Sequence, residues 1–179
     1  MKTRRWSLLI AAALVGGTLE GLVVLAPDEV GVVYRFGKVD RQLQSGLHFR
    51  MPWPIESHIT VAHTELRTLP IDSQRLLTGD SSLIDLTLSV QYTVSNPVDF
   101  ILGSTDPAAT VSQIVQSAST RAAAATDVDT MIDNRGVLQD QIRILSQADL
   151  DRLKTGIRIE TIDVRDLVPP PAVVDAFND

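Results

Sequence analysis

Histidine is the side chain best suited to proton transfer or metal binding near neutral pH, and this chain has three: His48, His58 and His63. His58 and His63 lie five residues apart in a segment that reads as extended, so they fall on opposite faces. No acid cluster with ligand spacing accompanies them, so no metal site is expected. Asp127, Asp129 and Asp133 straddle a helix boundary and read as caps and solvated surface rather than as a calcium loop. Serines are many, but no Gly-x-Ser-x-Gly elbow positions one as a nucleophile. The ten glycines are scattered and form no phosphate-binding loop. The absence of cysteine removes thiolate metal sites, cysteine nucleophiles and a disulfide framework together. Leu77-Thr78-Gly79-Asp80 reads as a tight turn entering a strand. The residues therefore point away from an enzyme, and neither catalytic residues nor a cofactor are expected.

Hydrophobicity and charge are unevenly distributed. The chain has 179 residues and a net charge of −6, yet Lys2, Arg4 and Arg5 crowd its first five positions. Trp6 through Ala26 is nearly all apolar and carries one acid, Glu20. Its uninterrupted part, Ser7–Leu19, would make a helix about 20 Å long, short of a hydrocarbon core of about 30 Å. Three readings compete: a signal anchor that snorkels Glu20 to the interface, a cleaved signal peptide, and a buried core helix. The first two share one topology, with Arg4 and Arg5 cytoplasmic and the acidic body across the membrane. That acidic body offers no footprint for nucleic acid.

The elements of the body follow from periodicity and punctuation. Leu22–Ala26 could begin as strand, Val30–Phe36 reads as a strand, and Gly37-Lys38 as a hairpin corner. Gly46–Phe49 is extended and runs into Met51-Pro52-Trp53-Pro54. Two prolines around a tryptophan exclude a sheet interior and mark a rigid apolar surface loop, which either caps the core or dips among lipid headgroups. Across Ser82–Val94, apolar Ile84, Leu86, Leu88, Val90, Tyr92 and Val94 alternate with polar residues, a long strand with one buried face. Asn96-Pro97 ends it. Asp106-Pro107 starts a helix whose stripe is Val111, Ile114, Val115, Ala118, Ala122 and Ala125. A second helix spans about Asn134–Leu153 and is closed by Gly156 as C-terminal cap. In the last strand, Ile157–Val164, the apolar residues change parity, which calls for a bulge near Glu160-Thr161.

Taken in order, these pieces resemble the stomatin–prohibitin–flotillin (SPFH, band 7) superfamily. The resemblance is carried by Gly31-Val32-Val33, Arg35-Phe36-Gly37-Lys38, Ser45–Phe49, Met51–Glu56, Leu77–Asp80, the strand Ile84–Tyr92 with Asn96-Pro97, and Pro170–Phe177. Pro-Trp-Pro-Ile-Glu and Leu-Thr-Gly-Asp are most similar to the HflK branch. The resemblance implies an α+β fold: one N-terminal transmembrane helix within residues 1–21, then an SPFH domain of two linked subdomains over 22–168. Residues 169–179 would begin a C-terminal helix that ends at Asp179, truncated relative to the coiled coil of HflK proteins. It also implies a non-enzymatic scaffold in a bacterial inner membrane, with its main domain extracytoplasmic. Its partners would be an HflC-like subunit, an FtsH-type AAA protease and membrane lipids, in a homo- or hetero-oligomer. Trp6, Met51, Trp53 and Ile55 are the candidate membrane-interface residues.

Overall fold

The computed structural model describes residues 22–168, which divide into two units after Glu65. In the first, β1 (Leu22–Leu25) pairs with β4 (Gly46–Phe49) as a two-stranded ribbon. A second sheet has the order β3 (Lys38–Leu43), β2 (Glu29–Arg35), β5 (Glu56–Ala62). All pairings are antiparallel. The β2–β3 connection has two central residues with positive φ, Phe36 at 49° and Gly37 at 78°. That is the backbone of a type I′ turn, whose twist suits a hairpin. The corner therefore falls one residue earlier than expected, and the polar stretch after it is itself strand β3. Its polarity hid it, as only Leu43 is fully buried. Val23 and Leu25 of the ribbon pack on Val33 and Leu43 to form the core of this unit. Gly31 lets Leu25 approach, since a Cβ there would lie 3.1 Å from Leu25 Cδ1.

The second unit is a three-stranded antiparallel sheet, β6 (Arg67–Leu77), β7 (Leu83–Val94) and β8 (Ile157–Val168). Four helices are inserted between β7 and β8: α1 (Pro97–Gly103), α2 (Pro107–Ala124), α3 (Val128–Asp133) and α4 (Arg135–Arg152). The alternation expected in β7 is observed: Ile84, Leu86, Leu88, Val90, Tyr92 and Val94 are all buried. They pack with Val111, Val115, Ala118 and Ala122 of α2 and with Leu138, Ile142 and Leu150 of α4. Alanines on α2 allow the close approach of α4. Ala125 departs from the expected stripe, because the helix has ended and it serves as the C-cap. In β8 the pairing skips Glu160, giving the expected bulge, and Ile157, Ile159 and Ile162 are all buried. A second slip at Arg165 returns Leu167 to the core, and the strand runs on to Val168.

Two local expectations are corrected. Asn96-Pro97 ends β7 but also starts α1, with the Asn96 side chain accepting from Val98 N and Asp99 N. Gly156 is not the cap of α4: the helix closes on Leu153, and Lys154 takes the left-handed conformation at φ 52°. Gly156 is required two residues later. Its φ is +67°, and a Cβ would lie 2.2 Å from Asn96 O and 2.7 Å from Phe100 N. Ser95 N and Asn96 N both donate to its carbonyl, tying the end of β7 to the start of β8. Gly156→Ala should therefore destabilise the second unit by about 3 kcal/mol. Thermal unfolding of the full chain in detergent checks this, and an unchanged midpoint would refute the close approach.

Candidate functional site

Strand pairing gathers several chain segments at one end of the first unit. Arg35 at the end of β2 faces both Lys38 and Glu56. The loop Met51–Ile55 closes over this end: Ile55 N donates to Pro52 O at 3.2 Å, and Phe36 N to Ile55 O at 3.2 Å. The Trp53–Pro54 peptide is cis. Beneath the loop lies Glu56, 1% exposed, a carboxylate that could not be buried without cationic partners. Arg35 donates to Oε1 from Nε at 3.1 Å and from Nη2 at 2.7 Å. Arg41 donates from Nη1 to Oε1 at 3.0 Å and from Nη2 to Oε2 at 3.2 Å. Met51 N donates to Oε2 at 2.9 Å, and Arg50 Nη1 to the Glu56 carbonyl at 3.1 Å. The β2–β3 register skips Asp40, and this bulge residue ion-pairs with both Arg35 and Arg41.

Around this polar clamp the surface is apolar. In the ribbon, Leu22 lies opposite Phe49 and Val24 opposite Leu47, so all four project from one face. All four are exposed, Val24 to 75%. Phe36 at the hairpin tip is 79% exposed and Trp53 at the loop tip 78%, with Met51 also exposed. Trp53 therefore does not cap the core. Exposed apolar residues of this unit thus occupy the ribbon, the hairpin tip and the loop tip, and Ile59 in the middle of β5 is exposed as well. The first residue of β1, Leu22, lies at the clamp end of the unit, because it pairs with Phe49.

Residues 23–179 match the family described as SPFH domain / Band 7. The chain belongs to the SPFH domain / Band 7 family. Among curated relatives it is 26% identical over 178 residues to Protein HflK of Borreliella burgdorferi, covering 90% of this chain and 57% of that protein. It is 26% identical over 202 residues to Protein HflK of Treponema pallidum, covering 97% and 61%. Protein HflK of Vibrio cholerae is 26% identical over 176 residues, covering 97% and 44%. The chain thus spans about half the length of these relatives.

The candidate interface residues of this SPFH domain are only partly brought together. Met51 and Trp53 share the exposed loop, Ile55 is half-buried with its carbonyl engaged by Phe36, and Trp6 lies outside the described residues. The expected membrane anchor over Trp6–Leu19 lies outside them too, and no described helix is long and apolar enough to cross a membrane. Sequence reasoning missed Leu22, Val24, Phe36, Leu47 and Phe49. Every residue of β1 is apolar, so its outward pair was indistinguishable from its inward pair until β4 was placed beside it.

The histidines of the Band 7 domain do not converge. His48 Nε2 contacts Gln44 O at 2.7 Å, and His63 Nε2 contacts Thr64 Oγ1 at 3.4 Å. His58 is pushed below its ordinary pKa by burial and by the positive charge of Arg50. No group of three potential metal ligands occurs among the described residues. Thr78-Gly79-Asp80 is the structural turn expected. Thr78 Oγ1 bonds Asp80 and Ser82 O, and Gly79 N donates to Thr126 O at 3.0 Å. A cleft of about 460 Å³ separates α4 from β8, but its charged lining is engaged. Asp140 pairs with Arg143 at 3.2 Å, and Glu160 accepts from Thr93 at 2.8 Å.

The clamp gives a pH signature. Hydrogen bonds from Arg41, then Arg35, hold the Glu56 carboxyl down to about 2, against an ordinary value of 4.5. Its contribution to stability is complete above pH 4.5 and is lost as the pH falls from there towards 2. Glu56→Gln should lower stability at neutral pH by about 2 kcal/mol, since the arginines left behind are half exposed. It should also flatten the loss of stability between pH 4.5 and 2. Acid unfolding curves identical to the parent's would contradict the clamp.

Proposed function

We propose that this chain is a non-enzymatic membrane scaffold of the HflK type. It would be anchored by its N-terminal apolar segment, with the SPFH domain on the extracytoplasmic face of a bacterial inner membrane. It assembles with HflC-like subunits, modulates an FtsH-type AAA protease, and organises the lipid patch around it. One observation carries this reading: exposed Leu22, Phe36, Phe49, Met51 and Trp53 lie at the end of the first unit where β1 begins. A segment held in the bilayer at Trp6–Leu19 leaves only Glu20 and Gly21 before β1. Two extended residues span at most about 7 Å, so this end of the domain is held at the headgroups. Tryptophan with neighbouring apolar side chains favours that depth. Removing one such side chain fully from water is worth roughly 1.5–3 kcal/mol, so a cluster offsets the shortness of the anchor.

The kinship with proteins called HflK supports the partner assignment, and the engaged polar groups described above favour a scaffold over a catalyst. The exposed loop also favours a second reading, in which the chain organises lipid without a protease partner. Expressed at native level, the full chain should stay in the membrane fraction after high-salt and carbonate washes. It should also co-purify with an HflC-like subunit and an FtsH-type protease. Retention without either protein selects the second reading, and release by carbonate refutes both. Trp53→Ser should leave the fold intact and increase carbonate-extractable chain roughly twofold or more.

A further inference from the structure

We infer that the apolar end of the first unit seats on an anionic lipid surface, through a collar of cationic side chains around the exposed aromatic residues. This rests on the membrane reading above and adds a lipid class to it. Strand register sorts the charges of residues 22–62 by position. Arg35, Lys38, Arg41 and Arg50 all lie at the apolar end, through the Arg35–Lys38 and Arg35–Glu56 pairings and the contacts of Arg41 and Arg50 with Glu56. Asp28 and Glu29 lie at the opposite end, where Glu29 faces Ala62 and Asp28 O accepts from His63 N at 3.0 Å.

Two acids share the collar, and both are committed. Glu56 is buried with Arg35, Arg41 and Met51 N, and Asp40 ion-pairs with the same two arginines. Lys38 and Arg50 remain without a carboxylate among the described residues. Lys38 is exposed and follows the Phe36-Gly37 tip directly. Arg50 stands between exposed Phe49 and Met51, and its Nε is buried with no hydrogen-bond partner. Two surplus positive charges thus flank the aromatic tips, in a chain whose overall charge is −6. Basic groups at membrane depth are drawn to anionic headgroups and gain little from zwitterionic ones. An acidic protein surface would match the charge but leave the interleaved Phe36, Phe49, Met51 and Trp53 without an apolar phase.

The test uses the full chain carrying Trp6→Phe, which leaves Trp53 as the only tryptophan. The protein is placed in nanodiscs of phosphatidylcholine with a minority of phosphatidylglycerol, with bromine on one lipid or the other. Quenching of Trp53 per brominated lipid should be roughly threefold greater when the bromine is on phosphatidylglycerol. Lys38→Gln should reduce that ratio, and Lys38→Gln with Arg50→Gln should bring it to about one while quenching by brominated phosphatidylcholine persists. Equal quenching by both lipids in the parent overturns the anionic preference and leaves the membrane reading standing. Absence of quenching by either lipid overturns both.

Discussion

The first unit depends on one buried carboxylate. Glu56 begins β5, and its two oxygens accept from arginines on β2 and β3 and from the backbone of the Met51 loop. Three strands and the loop are held by a single group that could not stay ionised in that position alone. The arrangement also frees the loop from the core. With its base fixed by polar contacts, Trp53 need not pack inward to be ordered, and it projects outward instead. The bulge at Asp40 serves the same network, because it brings a second carboxylate to both arginines.

Several carboxylates are consumed in ties between segments: Glu56 in the clamp, Asp80 in the Thr78 turn, Glu160 against Thr93. In the first unit, exposed Phe36, Phe49, Met51 and Trp53 lie at one end, with Lys38 and Arg50 beside them. The second unit is built otherwise, with a conventional core of β7 and β8 under α2 and α4.

How much of this could be read from residues alone varied with how strongly each feature is local. Strand β7 was legible, because strict alternation over the eleven residues Ile84–Val94 has one physical interpretation. The Asp106-Pro107 helix start and the bulge at Glu160 were legible for the same reason: a cap and a parity change are written in neighbouring residues. Strands β3 and β6 were not, since they carry few buried residues and draw their order from pairing with β2 and β7. The site was half legible. Trp53 between prolines declared a surface loop, but Leu22, Val24, Leu47 and Phe49 become one face only when β1 and β4 meet. The partners of Glu56 lie 21 and 15 residues away, beyond the reach of any local pattern.

The central claim is that the Trp53 end of the first unit sits at the membrane interface. The chain has no native cysteine, so single nitroxide labels can be introduced cleanly at Trp53, Val24 and Gln44. Their collision rates with molecular oxygen and with a water-soluble nickel chelate, in lipid nanodiscs, report depth directly. The account predicts oxygen-dominated collisions at Trp53, intermediate values at Val24 on the ribbon, and chelate-dominated collisions at Gln44 on the opposite end. Chelate-dominated collisions at all three positions would contradict it.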